Sequence, residues 1–416
     1  MHFSRGVSRG RIRVILVVVL LGLCLLLSGC WDRRELQERN FVLAVGIDYA
    51  DQPSDSKEKA EQRVASFVQP HGKKVYQLSL QVLNISPSGG SGGGSGGDSG
   101  AKGTPRQFVI ANTGQTMFEM VRDLSGQVGR SLWFEHIQAI VINEEILKQD
   151  GIKPIIDFFS RDSEMRARVR VITTPGQARK ILEYKTPNGE PSGLFLNNLL
   201  RNHIKNTHLM GAKTDVGFVL QYLANKTDFV LPRAEIGGEV LKVGGGVLIK
   251  KDKMVGTMDE YTTKGVKLIR ATEKSALITV TCPEHPQNVF TFELFQHDTK
   301  LTPHIEGDNI YFTLDIYMIG NIGELQRCPG EGHEGTDNKF LREMEVAFAE
   351  EVERNVLHSW HTTQDYQVDV LAAGAALKAY EPKTWEKVKD NWDEIFATVP
   401  LIPSVNVTIR GTGERN

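Results

Sequence analysis

Two periodicities alternate along the first half of the chain. VYQLSLQVLN (75–84) sets Tyr76, Leu78, Leu80 and Val82 against Gln77, Ser79 and Gln81, the period of two of a half-buried strand. FVLAVGID (41–48) and RQFVIANTG (106–114) read as further strands. HIQAIVIN (136–143) is apolar throughout its centre, as a strand covered on both faces must be. Helical spacing lies between them. In TMFEMVRDLSGQV, Thr116 and Glu119 have capping-box spacing, and Met117, Val121, Leu124 and Val128 share a face. IKPIIDFFSRD (152–162) carries Pro154 in its first turn, where a missing N–H does no harm. RARVRVITT (166–174) alternates Arg166, Arg168 and Arg170 with Ala167, Val169 and Val171, and so predicts a strand with three guanidiniums on one face; GQARKILEY (176–184) is again helical. Strands interleaved with helices around a buried central strand predict a layered α/β domain over residues 30–190.

The second half reads differently. LFLNNLLRNHIKN and TDVGFVLQYLANK predict two helices, a connector or small middle domain over 191–240. From 241 to 416 the pattern is α+β. It comprises a hairpin (241–258) turning at Lys251-Asp252-Lys253, a helix near 259–270, and a meander of strands at 276–282, 288–298 and 309–322. A long amphipathic helix (338–360) follows, facing inward with Leu341, Met344, Phe348, Val352 and Asn355/Val356; helices at 367–379 and 383–396 and a strand at 404–411 close the chain. This predicts an antiparallel sheet with helices on one face. Trp385, Trp392 and Phe396 recur at i, i+7 and i+11 and belong to the core. No internal repeat of 20–50 residues is visible.

The N-terminus is an export address. Arg5, Arg9, Arg11 and Arg13 precede Val14–Leu27, a run of 14 uncharged residues. As a helix it spans about 21 Å, short of the ~30 Å hydrocarbon core of a bilayer. It ends in Leu27-Ser28-Gly29-Cys30, which resembles the bacterial lipobox. That motif implies that residues 1–29 are a signal peptide and that Cys30 carries a diacylglyceryl thioether and an N-acyl chain; no other cofactor is indicated. Removing residues 1–29 takes away four Arg and no acid, so the formal net charge moves from −2 to −6. A mildly acidic body lacks the basic stripe that nucleic acid requires. It also lacks a polybasic patch, so membrane attachment falls to the acyl chains.

Little in the sequence carries catalytic chemistry. The tract 86–103 is too Gly-rich to offset its ordering entropy and predicts a flexible loop. Its Gly89-Gly90-Ser91-Gly92-Gly93 matches the nucleophile elbow in letters only, because no strand–turn–helix surrounds it. His333-Glu334 opens like a zinc-binding helix motif but continues into Asp337, and His358 with His361 makes an incomplete metal site. Cys24 leaves with the signal peptide, which leaves Cys282 and Cys328, either bridged across neighbouring strand ends or two separate thiols. The Arg166, Arg168 and Arg170 face either pairs with carboxylates such as Asp162 and Glu164 or presents a surface to an anionic partner.

CWDRREL and VLAVGID, then NTGQTMFEMVRDLS, HIQAIVINEEI and DFFSRDSEMR, then GGGVLIKKDKMVGTMDE, WEKVKDNWDEIF and SVNVTIRGTG together resemble the Ger(x)C family of spore germination lipoproteins, in order over residues 30–413. The resemblance implies a non-enzymatic C subunit of a nutrient germinant receptor, working with an A subunit and an integral-membrane B subunit. It also implies attachment by lipid to the outer face of the spore's inner membrane. Cys30 is the one residue carried over, as the lipidated position. The loop at 86–103 is long for the family. Two other readings remain for an exported lipoprotein: a solute-binding protein serving a transporter, which calls for two doubly wound lobes, and an enzyme, which calls for a convergent triad or a metal.

Overall fold

The computed structural model describes residues 39–50, 74–83, 107–162, 164–202, 214–272, 275–281, 288–325 and 338–411. In order, the elements are β1 (Arg39–Tyr49), β2 (Tyr76–Leu83), β3 (Gln107–Gly114), α1 (Met117–Ser125), β4 (Ser131–Trp133), β5 (Ala139–Asn143), α2 (Glu144–Gln149), α3 (Lys153–Arg161) and β6 (Arg170–Thr174). These are followed by α4 (Ala178–Glu183), α5 (Ser192–Arg201), α6 (Val216–Asn225), β7 (Phe229–Gly237), β8 (Val240–Lys250), β9 (Lys253–Met258) and α7 (Glu260–Ile269). The last part holds β10 (Leu277–Thr281), β11 (Val289–Glu306), β12 (Asn309–Leu325), α8 (Asn338–Asp365), α9 (Ala373–Tyr380), α10 (Pro382–Val388), α11 (Trp392–Phe396) and β13 (Leu401–Gly411).

A nine-stranded sheet in the order β3-β2-β1-β5-β6-β7-β8-β9, with β4 beside β1, carries the first half. Its middle strands β1, β5, β6 and β7 run parallel, and antiparallel pairs flank them on both sides. β5 is covered on both faces, as its unbroken apolar run predicts. Ile140 and Ile142 face one core and Ala139 and Val141 the other. α1 starts where the capping box places it: the Glu119 amide donates to Thr116 Oγ1 (3.2 Å), and the Glu119 carboxylate accepts from the Gln115 amide (3.4 Å). A second, four-stranded sheet in the order β10-β11-β12-β13 packs under α8, with Phe348, Val352, Val356 and Trp360 buried against Phe292, Phe312 and Leu314.

Three expectations change. The strand expected from 166 begins only at Arg170. Before that point the backbone turns to meet α6: the Gly217 amide donates to Ala167 O (2.8 Å) and the Val216 amide to Val169 O (3.0 Å). The last strand, β13, runs parallel to β12, so the second sheet is mixed. A connection long enough to hold α8 to α11 can return a strand in either sense. The hairpin at 241–258 pairs with β7 and extends the large sheet. Together with β7 it serves both halves. Phe229, Leu231, Val247 and Ile249 face the first core, and Val230, Leu248 and Met258 face the second.

The seam between the halves is polar at its rim. Asp228 accepts the amides of Lys251 (3.3 Å) and Asp369 (3.2 Å), Lys250 pairs with Asp393 (2.9 Å), and Arg270 donates to Val370 O (2.9 Å). Burial, with Asp393 adding to it, raises the Asp228 carboxyl to about 6. The folded state therefore holds a proton between about pH 4 and 6 that the unfolded chain has released, and stability falls as pH rises through that window. Asp228→Asn is expected to remove this slope. Denaturation of both proteins at pH 4 and 6.5 should show the wild-type advantage shrinking by on the order of 2 kcal/mol toward the higher pH. A constant difference would show that the Asp228 charge does not strain the seam.

Candidate functional site

In an open α/β sheet, ligands usually lie beyond the carboxyl ends of the parallel strands. Here the protein's own side chains occupy that edge. Asp48, at the end of β1, accepts the amides of Ala178 (2.7 Å) and Arg179 (3.0 Å) and so caps α4. Asn143, at the end of β5, donates to Gly176 O (2.8 Å) and accepts from the Glu145 amide (2.8 Å). Beside them, the hydroxyls of Tyr49 and Tyr76 both donate to Asp150 (2.8 and 2.6 Å), whose other oxygen pairs with Lys74. Burial raises both phenols above their ordinary range, which keeps them as donors to that carboxylate. At the ends of β1 and β5 these polar side chains bond within the protein.

The opposite end is open. A groove of about 600 Å³ runs between α1 and the end of α3, with β4 as its floor. Phe118, Val121 and Arg122 line it from α1, Phe158 and Asp162 from α3 and its C-cap, and Arg130, Leu132 and Phe134 from β4 and its approaches. Phe118 lies 6.2 Å from Phe158, and the Arg122 guanidinium sits 5.0 Å over the Phe118 ring. Beyond the floor, Arg39 stacks 4.1 Å over Trp133, which packs against Phe41 and His136. Glu164 accepts the Phe134 amide (3.2 Å).

The three arginines singled out in the sequence are separated. Arg166 pairs with Glu135 (2.5 Å) beside this groove and holds the Glu135 carboxyl below the usual carboxylate range. Arg168 is exposed on the turn. Arg170 is half-buried and donates to Asn197 Oδ1 (3.2 Å), with burial pulling its guanidinium down and Asp215 opposing that. Cys30, Cys282, Cys328, His333 and the tract 86–103 lie outside the described residues. His361 meets Gln364 (3.2 Å) and His358 packs on Tyr261; among the described residues no three His, Cys, Asp or Glu side chains could together hold a metal ion. Trp392 and Phe396 are buried and Trp385 packs against the same core, with the Trp392 indole N–H donating to Asp369 (2.9 Å). In the sequence, Val121 and Val128 read as a helix face and Asp162 and Glu164 as partners for the arginines, whereas Phe118, Arg122 and Phe158 are not singled out there. Phe118 and Arg122 stand four apart on the polar side of α1, and an aromatic residue on that side was the available signal.

Residues 32–236 match the family described as spore germination protein N-terminal domain, and residues 244–413 match that described as spore germination B3/GerAC like, C-terminal. The chain belongs to the Ger(x)C family of spore germination proteins. Among its relatives in Bacillus subtilis (strain 168), spore germination protein YndF is 27% identical over 96% of each chain. Spore germination protein KC is 25% identical over 97% of each, and spore germination protein B3 is 23% identical over 92% of each. The crystal structure of the GerBC protein shares the fold, with a TM-score of 0.56 at 19% identity, covering 91% of this chain and 100% of that one. A role in spore germination follows for this chain as for its family.

Proposed function

We propose that this protein is a non-catalytic, lipid-anchored subunit of a nutrient germinant receptor, held on the outer face of the spore's inner membrane by acyl chains on Cys30 and working with A- and B-type subunits. The observation that carries this reading is the family match starting at residue 32, two residues after Leu27-Ser28-Gly29-Cys30. No helix among the described residues is long and apolar enough to cross a membrane, so an anchor at Cys30 has a task to perform. The strand-end crevice, filled by Asp48, Asn143 and the Asp150 network, supports a binding or scaffolding role over chemistry. The second sheet is a mixed four-stranded one, which weighs against the two doubly wound lobes of a solute-binding protein.

Cys30→Ala is expected to leave the folded domains intact and to move the protein from the membrane to the soluble fraction of spores, because each buried CH₂ of the acyl chains contributes about 0.8 kcal/mol. A variant that stayed membrane-bound and uncleaved would refute the anchor. Affinity capture of the wild-type chain from spore membranes should bring A- and B-type subunits with it; recovery of a transporter permease instead would favour the solute-binding alternative.

A further inference from the structure

We infer that β3, the outer strand of the large sheet, pairs antiparallel with β3 of a second copy of this chain, joining two large sheets into one. This self-pairing goes beyond the reading as a receptor subunit and does not depend on it. β3 ends the sheet order, so one side of its backbone meets no strand among the described residues. The strand pairing decides which groups that side presents. The Ala50 amide donates to Val75 O (3.0 Å), so odd-numbered residues of β2 bond toward β1 and even-numbered ones toward β3. Tyr76 stands opposite Gly114 and Leu80 opposite Ile110. The even-numbered residues of β3 therefore bond to β2, and the odd-numbered ones face outward. The Thr113 amide is taken by Asn112 Oδ1 (2.8 Å). Val109 and Ala111, at the centre, each turn an amide and a carbonyl away from the sheet.

An open edge is a template for another strand, and the other edges carry guards that β3 lacks. Along β9, Lys253 Nζ donates to Gln149 O (3.1 Å), the adjoining Asp252 O accepts the Ile152 amide (2.7 Å), and the Tyr366 ring packs on Gly256. β13 contains Pro403 and Arg410, and its Ile409 amide donates to Glu345 (2.9 Å). β10 has five residues and pairs only with Val289–Glu293; the rest of β11 carries Asp298, Lys300 and Pro303. β3 reads QFVIANTG, with no charge, no Pro and no register shift against β2 over its eight pairs.

A second copy supplies the complementary strand. Because an antiparallel partner runs back along the same sequence, one two-fold contact satisfies the outward groups of both chains. About an axis at Ile110, Val109 of one protomer exchanges backbone bonds with Ala111 of its partner, Ile110 meets Ile110, and Phe108 faces Asn112. Every side chain of that ladder is apolar or neutral. The acids nearby, Glu119 and Asp123 of α1, bond at Gln115 and Asn112, toward the end of β3. Asn112 is two residues from the axis in each protomer, which separates the two copies of this end by about 13 Å along the strands. That exceeds the ~8 Å Debye length at physiological salt. Gln107 to Ala111 are only half-buried, and the added strand covers them.

The test uses the full chain in detergent micelles with Cys282→Ser and Cys328→Ser, adding Ile110→Cys or, as control on the exposed face of the second sheet, Tyr317→Cys. Opposed residues that exchange no backbone bonds have Cα atoms about 4.5 Å apart, within reach of a disulfide. Under copper–phenanthroline oxidation, Ile110→Cys is expected to give covalent dimer at least fivefold faster than Tyr317→Cys, after subtracting the rate of the parent chain. Ala111→Pro removes an outward amide and no bond to β2. It should bring the Ile110→Cys rate down to the control rate and, without the added cysteine, halve the mass seen by sedimentation at an unchanged circular-dichroism spectrum. Equal rates at 110 and 317 overturn the inference, whether or not the proline variant folds. Fast crosslinking that survives in folded Ala111→Pro overturns it too. Capture of the Ile110→Cys chain only by a different protein in spore membranes also overturns it, in favour of a partner's strand at the same edge. None of these outcomes bears on the anchor at Cys30.

Discussion

Trp360→Ala is expected to lower stability by about 3–5 kcal/mol, read as a shift of the denaturant midpoint at unchanged slope. Trp360 projects from α8 into the second core with no exposed surface. Its ring lies 5.7 Å from Phe312 on β12 and 5.4 Å from Phe396 on α11, so one side chain joins the sheet, the long helix and the C-terminal helices. Its indole N–H donates to Val399 O (3.0 Å), just before β13. That carbonyl also accepts from Gln364 Nε2 (2.7 Å), so truncation does not orphan it. The cost is then the lost apolar burial and the cavity, the two terms that dominate large-to-small changes in a packed core. Trp360→Phe separates them: it keeps most of the ring volume and should cost about half as much or less. A loss under about 1 kcal/mol for Trp360→Ala would mean that the core collapses around the gap and that the three elements are not pinned at this residue.

Elements whose signals are local were legible in the sequence, and those set by long-range pairing were not. The uniform apolar run at 139–142 read as a doubly covered strand, and it is β5. Thr116 and Glu119 fixed the start of α1 because both partners of the cap lie within one turn. The direction of β13 was hidden, because nothing in LIPSVNVTIRG distinguishes a parallel neighbour from an antiparallel one. The place of the 241–258 hairpin was hidden for a related reason: its strands alternate between two apolar faces, and the sequence cannot say that each face meets a different core. The arginine alternation at 166–170 looked like a strand face, but the amides of Val216 and Gly217 capture that backbone first. The groove was illegible because it joins α1, α3 and β4, three elements whose meeting no local pattern encodes.

Gly265→Val is expected to abolish the native contact between α7 and α8 and to cost more than about 4 kcal/mol, or to leave the chain unfolded, with Gly265→Ala costing about 2–3 kcal/mol. On helix propensity alone, Gly→Ala in a helix interior would stabilise by up to about 1 kcal/mol. The sign is reversed by the closeness of the two helices. A Cβ at 265 would fall on Ser359 Oγ and lie 2.7 Å from the Asn355 carbonyl oxygen. Neither can easily give way. Ser359 Oγ donates to Thr262 O (3.0 Å) and Asn355 O (2.8 Å), and Asn355 Nδ2 donates to Tyr261 O (2.8 Å), so the side chains of α8 are bonded into the backbone of α7. The clash is thus with groups that are buried and already hydrogen-bonded, which makes moving them costly. Ser359→Gly removes the nearest obstacle but leaves the Asn355 carbonyl in place. In that background the penalty of Gly265→Ala should fall by at least about 1 kcal/mol, a coupling that a double-mutant cycle measures directly. Additive costs would show that α7 is not held against α8 by backbone contact at Gly265, and that the seam between the two sheets rests instead on the hairpin β8–β9 and its polar rim.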